Sequence, residues 1–116
     1  MSYPDEQVQE LKSYCSGLRQ LIEGGVTYFL LEALRLPVGC TPASCDALLC
    51  PTARDGYPSR LFLAEKVTSA YTRNWNVSNA RIGERNWVAF SWKVALTDPT
   101  LAQVLVEHLK GFTRAR

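Results

Sequence analysis

Val8, Leu11, Cys15, Leu18 and Ile22 recur at steps of three and four, a spacing that gathers them on one face of a helix. Ser2 is placed to cap that helix, with Pro4 and Asp5 in its first turn and Gly24-Gly25 as its stop. Gly17 weakens the interior by about 1 kcal/mol relative to alanine. The pattern then changes. Residues 26–36, rich in Val, Thr, Tyr and Phe, predict a strand that ends at Pro37 and Gly39. Residues 45–50 predict a second strand, hairpinned to the first and closed by Pro51. A loop rich in turn formers (52–58) leads to a third strand at 60–67. Residues 68–81 show no period and hold Asn74, Asn76, Ser78 and Asn79, so they predict a long surface segment. Residues 86–94 are aromatic-rich and predict a short fourth strand or an ordered loop. Leu101, Val104, Leu105, Leu109 and Phe112 form the buried stripe of a closing helix, capped by Asp98 or Thr97 with Pro99 in its first turn.

This order predicts one α+β domain over residues 1–116. Its sheet is antiparallel and three- to four-stranded, because the links are too short for crossover helices, and an N-terminal and a C-terminal helix flank it. With 47% hydrophobic residues in 116, the chain can bury a core without metals or disulfides. The net charge is +2, with Lys and Arg dispersed. Nucleic acid and anionic membrane are therefore not expected as partners. The longest apolar stretch is broken by Glu32 and Arg35, and the start of the chain is polar and acidic. The expected location is the cytoplasm, where thiols stay reduced.

Cys40, Cys45 and Cys50 are spaced by five. A three-thiolate zinc site competes with small apolar residues around a hairpin. The close cysteine pairs and fourth ligand of structural zinc are missing, so no metal and no cofactor are expected. Cys45 and Cys50 should point to opposite faces of their strand, because their separation is odd. The same reasoning places Trp87 and Trp92 on opposite sides, one in the core and one more exposed. Segment 73–92 holds Trp75, Trp87 and Trp92 with Arg73, Arg81 and Arg85. Tryptophan and arginine are enriched at binding hot spots. Arg73, Trp75, Arg81 and Arg85 are therefore the expected partner-binding residues, although Trp75 could instead cap the core. His108 reads as a helix-face residue without a catalytic role.

Leu34-Arg35-Leu36-Pro37-Val38-Gly39, the short apolar strand at 45–50, Gly56-Tyr57-Pro58, a strand with Leu61 and Phe62, Arg85-Asn86-Trp87 and Phe90-Ser91-Trp92 follow one another before the closing helix. Taken in order, this set resembles the compact bacterial ubiquitin-conjugating-enzyme-like (UBC/RWD-type) family found in operons with ubiquitin-like proteins, activating enzymes and deubiquitinating peptidases. Tyr57, Pro58, Trp87 and Trp92 carry the resemblance, which spans about residues 8–112. The chain departs from the family in three places. Ser59, Arg60 and Leu61 stand where prolines follow Tyr-Pro. There is no His-Pro-Asn element. Every cysteine precedes Tyr57, whereas the family's thioester cysteine follows it. The resemblance thus implies a non-catalytic adaptor, with no catalytic residue. It would bind the conjugating enzyme, activating enzyme or ubiquitin-like protein of its operon, a ubiquitin-like modification or antiviral-defence one. An active conjugating enzyme with its nucleophile relocated to Cys40, Cys45 or Cys50 is the first alternative. A small single-stranded nucleic-acid-binding module using residues 73–92 is the second.

Overall fold

The computed structural model describes residues 3–71 and 73–114. Helix α1 (Asp5–Leu11) runs into a 3-10 turn (Lys12–Tyr14). Six strands follow: β1 (Gly17–Glu23), β2 (Val26–Arg35), β3 (Ser44–Cys50), β4 (Arg60–Leu63), β5 (Val77–Ile82) and β6 (Arg85–Ala89). Helix α2 (Leu101–Leu109) and a 3-10 turn (Lys110–Phe112) come last. The strands form one sheet in the order β1-β2-β3-β4-β6-β5, and each neighbouring pair is antiparallel.

This architecture corrects the expected α+β layout. The sheet has six strands rather than three or four, the protein is mostly β, and the short helices lie together on one face instead of flanking the sheet. One extra strand is β1, which takes the second half of the expected N-terminal helix. Gly24 and Gly25 do not stop a helix. Their φ angles of 60° and 77° form the two-residue turn of the β1–β2 hairpin, a left-handed conformation that glycine adopts without steric cost. Leu18 and Ile22 share a face in a strand as they would in a helix, because four is even, so their spacing fits both. The second extra strand is β5, inside the segment expected to be irregular. Gly83 and Glu84, with φ of 60° and 64°, turn it back onto β6. The third strand stops at Leu63, although Val67 remains buried. The proposed cap Ser2 lies outside the described residues, and Pro4 holds the N-cap position of α1.

Alternation along the strands sends side chains to two cores. Phe29, Leu31, Leu34, Ala47, Leu49, Leu61 and Leu63 face the helices, meeting Leu11 of α1 and Leu101, Val104 and Leu105 of α2. Tyr28, Leu48, Cys50, Phe62, Ile82, Trp87 and Ala89 form the second core on the opposite face. Leu31 and Leu34 reach the same core despite odd spacing. The β2–β3 register shifts between them, and Ala33 sits at φ 51°, a bulge that inverts the alternation. Asp46 steadies this bulge by accepting from the Ala33 N–H at 2.9 Å, and it pairs with Arg85 at 3.2 Å.

The sheet coils around the second core until its ends meet. The Gly83 N–H donates to Glu23 Oε1 at 3.1 Å, and a Cβ at Gly83 would stand 2.8 Å from the Leu21 side chain. On the other face, Gln7 Oε1 accepts from the Leu101 N–H at 3.1 Å and ties α1 to the first turn of α2. Thr100, rather than Asp98 or Thr97, caps α2. Its hydroxyl accepts from the Gln103 N–H while the Gln103 side chain accepts from the Thr100 N–H, a reciprocal capping box.

Candidate functional site

At the end of the sheet where β3 finishes and β4 begins, a polar cluster closes the second core. Arg54-Asp55-Gly56-Tyr57 is a miniature hairpin with reciprocal backbone bonds of 2.9 Å between Arg54 and Tyr57. Its tip has φ of 55° at Asp55 and 84° at Gly56. It brings the Tyr57 ring under the Arg60 guanidinium, 4.2 Å from its centroid. Arg60 is 1% exposed. It donates through Nη2 to Asn76 Oδ1 at 2.9 Å and to the Phe90 carbonyl at 3.4 Å, and its Nη1 stands 3.6 Å from Asp55. The Tyr57 hydroxyl meets Ser91 Oγ at 2.8 Å and accepts from Asn76 Nδ2 at 3.1 Å. Arg54 donates to the Tyr28 hydroxyl at 2.6 Å. Most of these groups are spent on one another, while Arg54 Nε and Arg60 Nη1 are buried without a hydrogen bond, each 3.6 Å from the Asp55 carboxylate. The cluster joins the 54–57 turn to Asn76 and to the segment after β6, and it leaves Pro58 exposed beside it.

Next to it, Ser59 Oγ and His108 Nε2 lie 2.9 Å apart. A serine–histidine pair is the arrangement of an activated nucleophile, but Ser59 is 4% and His108 3% exposed. Burial, with the Arg60 charge adding to it, pulls the His108 pKa down to about 4. The pair is packed into the interior between β4 and α2, where no substrate reaches it.

The cysteines are all free thiols. Cys45 joins the helix-side core and Cys50 the opposite one, as their odd separation requires. Burial raises the pKa of Cys40, and it pushes Cys45 up to about 11 with help from the Glu65 and Asp46 carboxylates. A thiol so placed is protonated at neutral pH and is a poor nucleophile. Among the described residues, no group of three His, Cys, Asp or Glu side chains comes together to hold a metal ion.

The expected partner-binding residues do not form one patch. Arg73 turns inward. Its guanidinium donates to the Gly111 and Arg114 carbonyls at the end of the chain's last turn and lies over the rings of Tyr71 and Trp92, at 5.5 and 5.4 Å. Trp75 is half-buried against the helix-side core, edge-on to Phe90 at 5.3 Å. Arg81 is exposed on β5. Arg85 stacks over Trp87 at 4.6 Å while pairing with Asp46. Trp87 lies in the second core and donates to the Ile82 carbonyl at 2.9 Å. Trp92 is half-buried on the other side and donates to the Glu107 carbonyl at 3.0 Å. Trp75→Ala is therefore expected to lower unfolding free energy by about 2 kcal/mol, below the range for a fully buried aromatic. Urea denaturation measures this, and an unchanged midpoint would mean that Trp75 does not hold the core.

An accessible concave surface among the described residues is a groove of about 540 Å³ between α1 and α2. Tyr14, Leu96, Pro99 and Val106 supply its apolar lining, threonine, glutamine and Glu10 side chains supply a polar lining of similar extent, and Glu107 is paired with Lys110. Leu96 is 42% exposed. None of these residues was expected in a site; Pro99 entered only as a first-turn residue of the closing helix. The available signal was Thr100-x-x-Gln103, which marks the helix start that forms one end of the groove. No helix among the described residues is long and apolar enough to cross a membrane. The chain matches no protein-family model, no curated protein and no solved structure.

Proposed function

We propose that this protein is a non-catalytic, cytoplasmic binding module that holds a segment of a partner protein in the groove between α1 and α2. The observation that carries this reading is the groove itself. It is open and lined by apolar and polar groups in similar measure, with Glu10 as its carboxylate while Glu107 is paired with Lys110, which suits a short amphipathic segment that offers Glu10 a lysine or arginine. The chemistry elsewhere supports a binding role. Cys40, Cys45 and Cys50 are buried, which disfavours the relocated-nucleophile alternative, and the Ser59–His108 pair is sealed in the core. The ordered set around Tyr57-Pro58 makes a ubiquitin-like protein, an activating enzyme and a conjugating enzyme the first partners to test.

Titration calorimetry of the purified protein against each of those three is expected to give saturable binding with one of them. Leu96→Asp changes an exposed side chain, so thermal stability stays unchanged. It should weaken the complex by at least about tenfold, the equivalent of 1.4 kcal/mol. Binding by the variant equal to that of the original chain would move the interface off the groove. A thiol-sensitive adduct with the ubiquitin-like protein that disappears in Cys45→Ala would instead make the protein an enzyme. Tight single-stranded DNA binding with a steep salt dependence would favour the nucleic-acid reading.

A further inference from the structure

The two edges of the sheet are β1 and β5, and they are built differently. β5 has a register break between Val77 and Ala80 and exposes Ser78, Asn79 and Arg81. Such breaks and polar residues blunt an edge against further pairing. β1 pairs with β2 in unbroken register from Gly17 to Glu23. It holds no proline or lysine, and it carries Ile22 at 66% exposure. Counting from the two-residue turn, Glu23, Leu21 and Arg19 direct their backbone groups to β2, and Leu18, Gln20 and Ile22 direct theirs outward. Among the described residues, no backbone group of another segment takes up those outward donors and acceptors.

We propose that two copies of this chain pair antiparallel through β1, about a two-fold axis at Leu21, to make one continuous sheet. Charge complementarity selects a second copy as the occupant. In this register Gln20 stands opposite Ile22 of the other copy as a hydrogen-bonded pair. Arg19, which is 73% exposed and stands 3.7 Å from Glu32 of its own chain, lies opposite Glu23 of the other copy on each side of the axis. Glu23 keeps one carboxylate oxygen on the Gly83 N–H. Opposite charges at directly facing positions stabilise a strand pair, and like charges destabilise it. Sliding the register by two residues either way sets Arg19 or Glu23 against Leu21 and loses both ion pairs. The contact is isologous, so it closes at two copies and does not propagate. It uses neither α1 nor α2, so it stands or falls separately from the groove.

Sedimentation equilibrium over a concentration series tests the proposal. The original chain is expected to approach twice the mass of one chain. Gln20→Pro removes an outward N–H and no bond to β2, so it should give a monomer with an unchanged far-ultraviolet circular dichroism spectrum. Arg19→Glu alters a side chain that is 73% exposed, giving up its 3.7 Å approach to Glu32, and should weaken association at least about tenfold. Adding Glu23→Arg, which gives up the bond from Gly83, should restore association while circular dichroism shows that the sheet is kept. A chain that stays monomeric throughout overturns the proposal. So does a folded Gln20→Pro variant that still dimerises, or a double reversal that fails to regain association. Should Gln20→Pro fail to fold, the charge-reversal series decides alone.

Discussion

Arg60→Ala is expected to lower unfolding free energy by about 2–4 kcal/mol, from one buried acceptor left unpaired and a void left behind. The side chain is 1% exposed at the end of the second core. Its loss strands the buried Phe90 carbonyl at 3.4 Å and opens a void over the Tyr57 ring, whereas Asn76, 2.9 Å away, is exposed and can turn to water. Unpaired buried acceptors carry their full desolvation penalty. The Asp55 carboxylate contributes little to the loss, because it is 42% exposed and 3.6 Å away, where solvent screens it. Arg60→Met should cost less, since it fills the space and presents no charge. Urea denaturation of both variants gives the comparison. A loss below about 1 kcal/mol for Arg60→Ala, the size of an ordinary surface effect, would mean that the guanidinium does not organise this end of the sheet.

Acid is expected to destabilise the protein through His108. In the folded chain, burial and then the Arg60 charge hold its pKa at about 4, against about 6.5 in an unfolded chain. Between those values the unfolded state binds a proton that the native state excludes, so stability rises with pH across this window. The contribution is complete above about pH 6.5 and is lost as pH falls towards 4. At about 1.4 kcal/mol per pH unit, the loss reaches about 3 kcal/mol. His108→Gln keeps a hydrogen-bonding group beside Ser59 but does not titrate. The stability difference between the original chain and this variant should therefore change by about that amount from pH 7 to pH 4, as urea midpoints at each pH would record. A difference that stays constant would place His108 in contact with solvent.

Neither Arg60 nor His108 stood out in the sequence as a group buried in the fold. Arg60 occurs two residues before Phe62 in an apolar strand, and a charged residue there reads as solvent-facing. It is buried because the Arg54–Tyr57 turn and Asn76, 16 residues further along, close over it. Arg73 was legible as one of a run of arginines and tryptophans. The carbonyls it grips belong to Gly111 and Arg114, a meeting that no local pattern announces. The groove was likewise out of reach, since its walls come from both ends of the chain and its apolar members are individually ordinary.

Local chemistry determined β2 and β3, which are bounded by proline and glycine and carry unmistakably strand-like residues. It also determined the stripe of α2 and the opposite facing of Cys45 and Cys50, which follows from the two-residue period of any strand. The antiparallel pairing followed from link length. Tertiary structure alone decided β1 and β5. Residues 17–23 fit a helical stripe as well as a strand. The hairpin wins because the Gly24-Gly25 turn sets Gly17–Glu23 against β2, with Leu21 on the second core and Leu18 on the first. Residues 77–82 have weak strand propensity, and they become a strand because the Gly83-Glu84 turn returns the chain to Trp87 and the second core. Propensity differences of up to about 1 kcal/mol per residue yield to such burial, which stabilises by roughly 1.5–3 kcal/mol for each large apolar side chain.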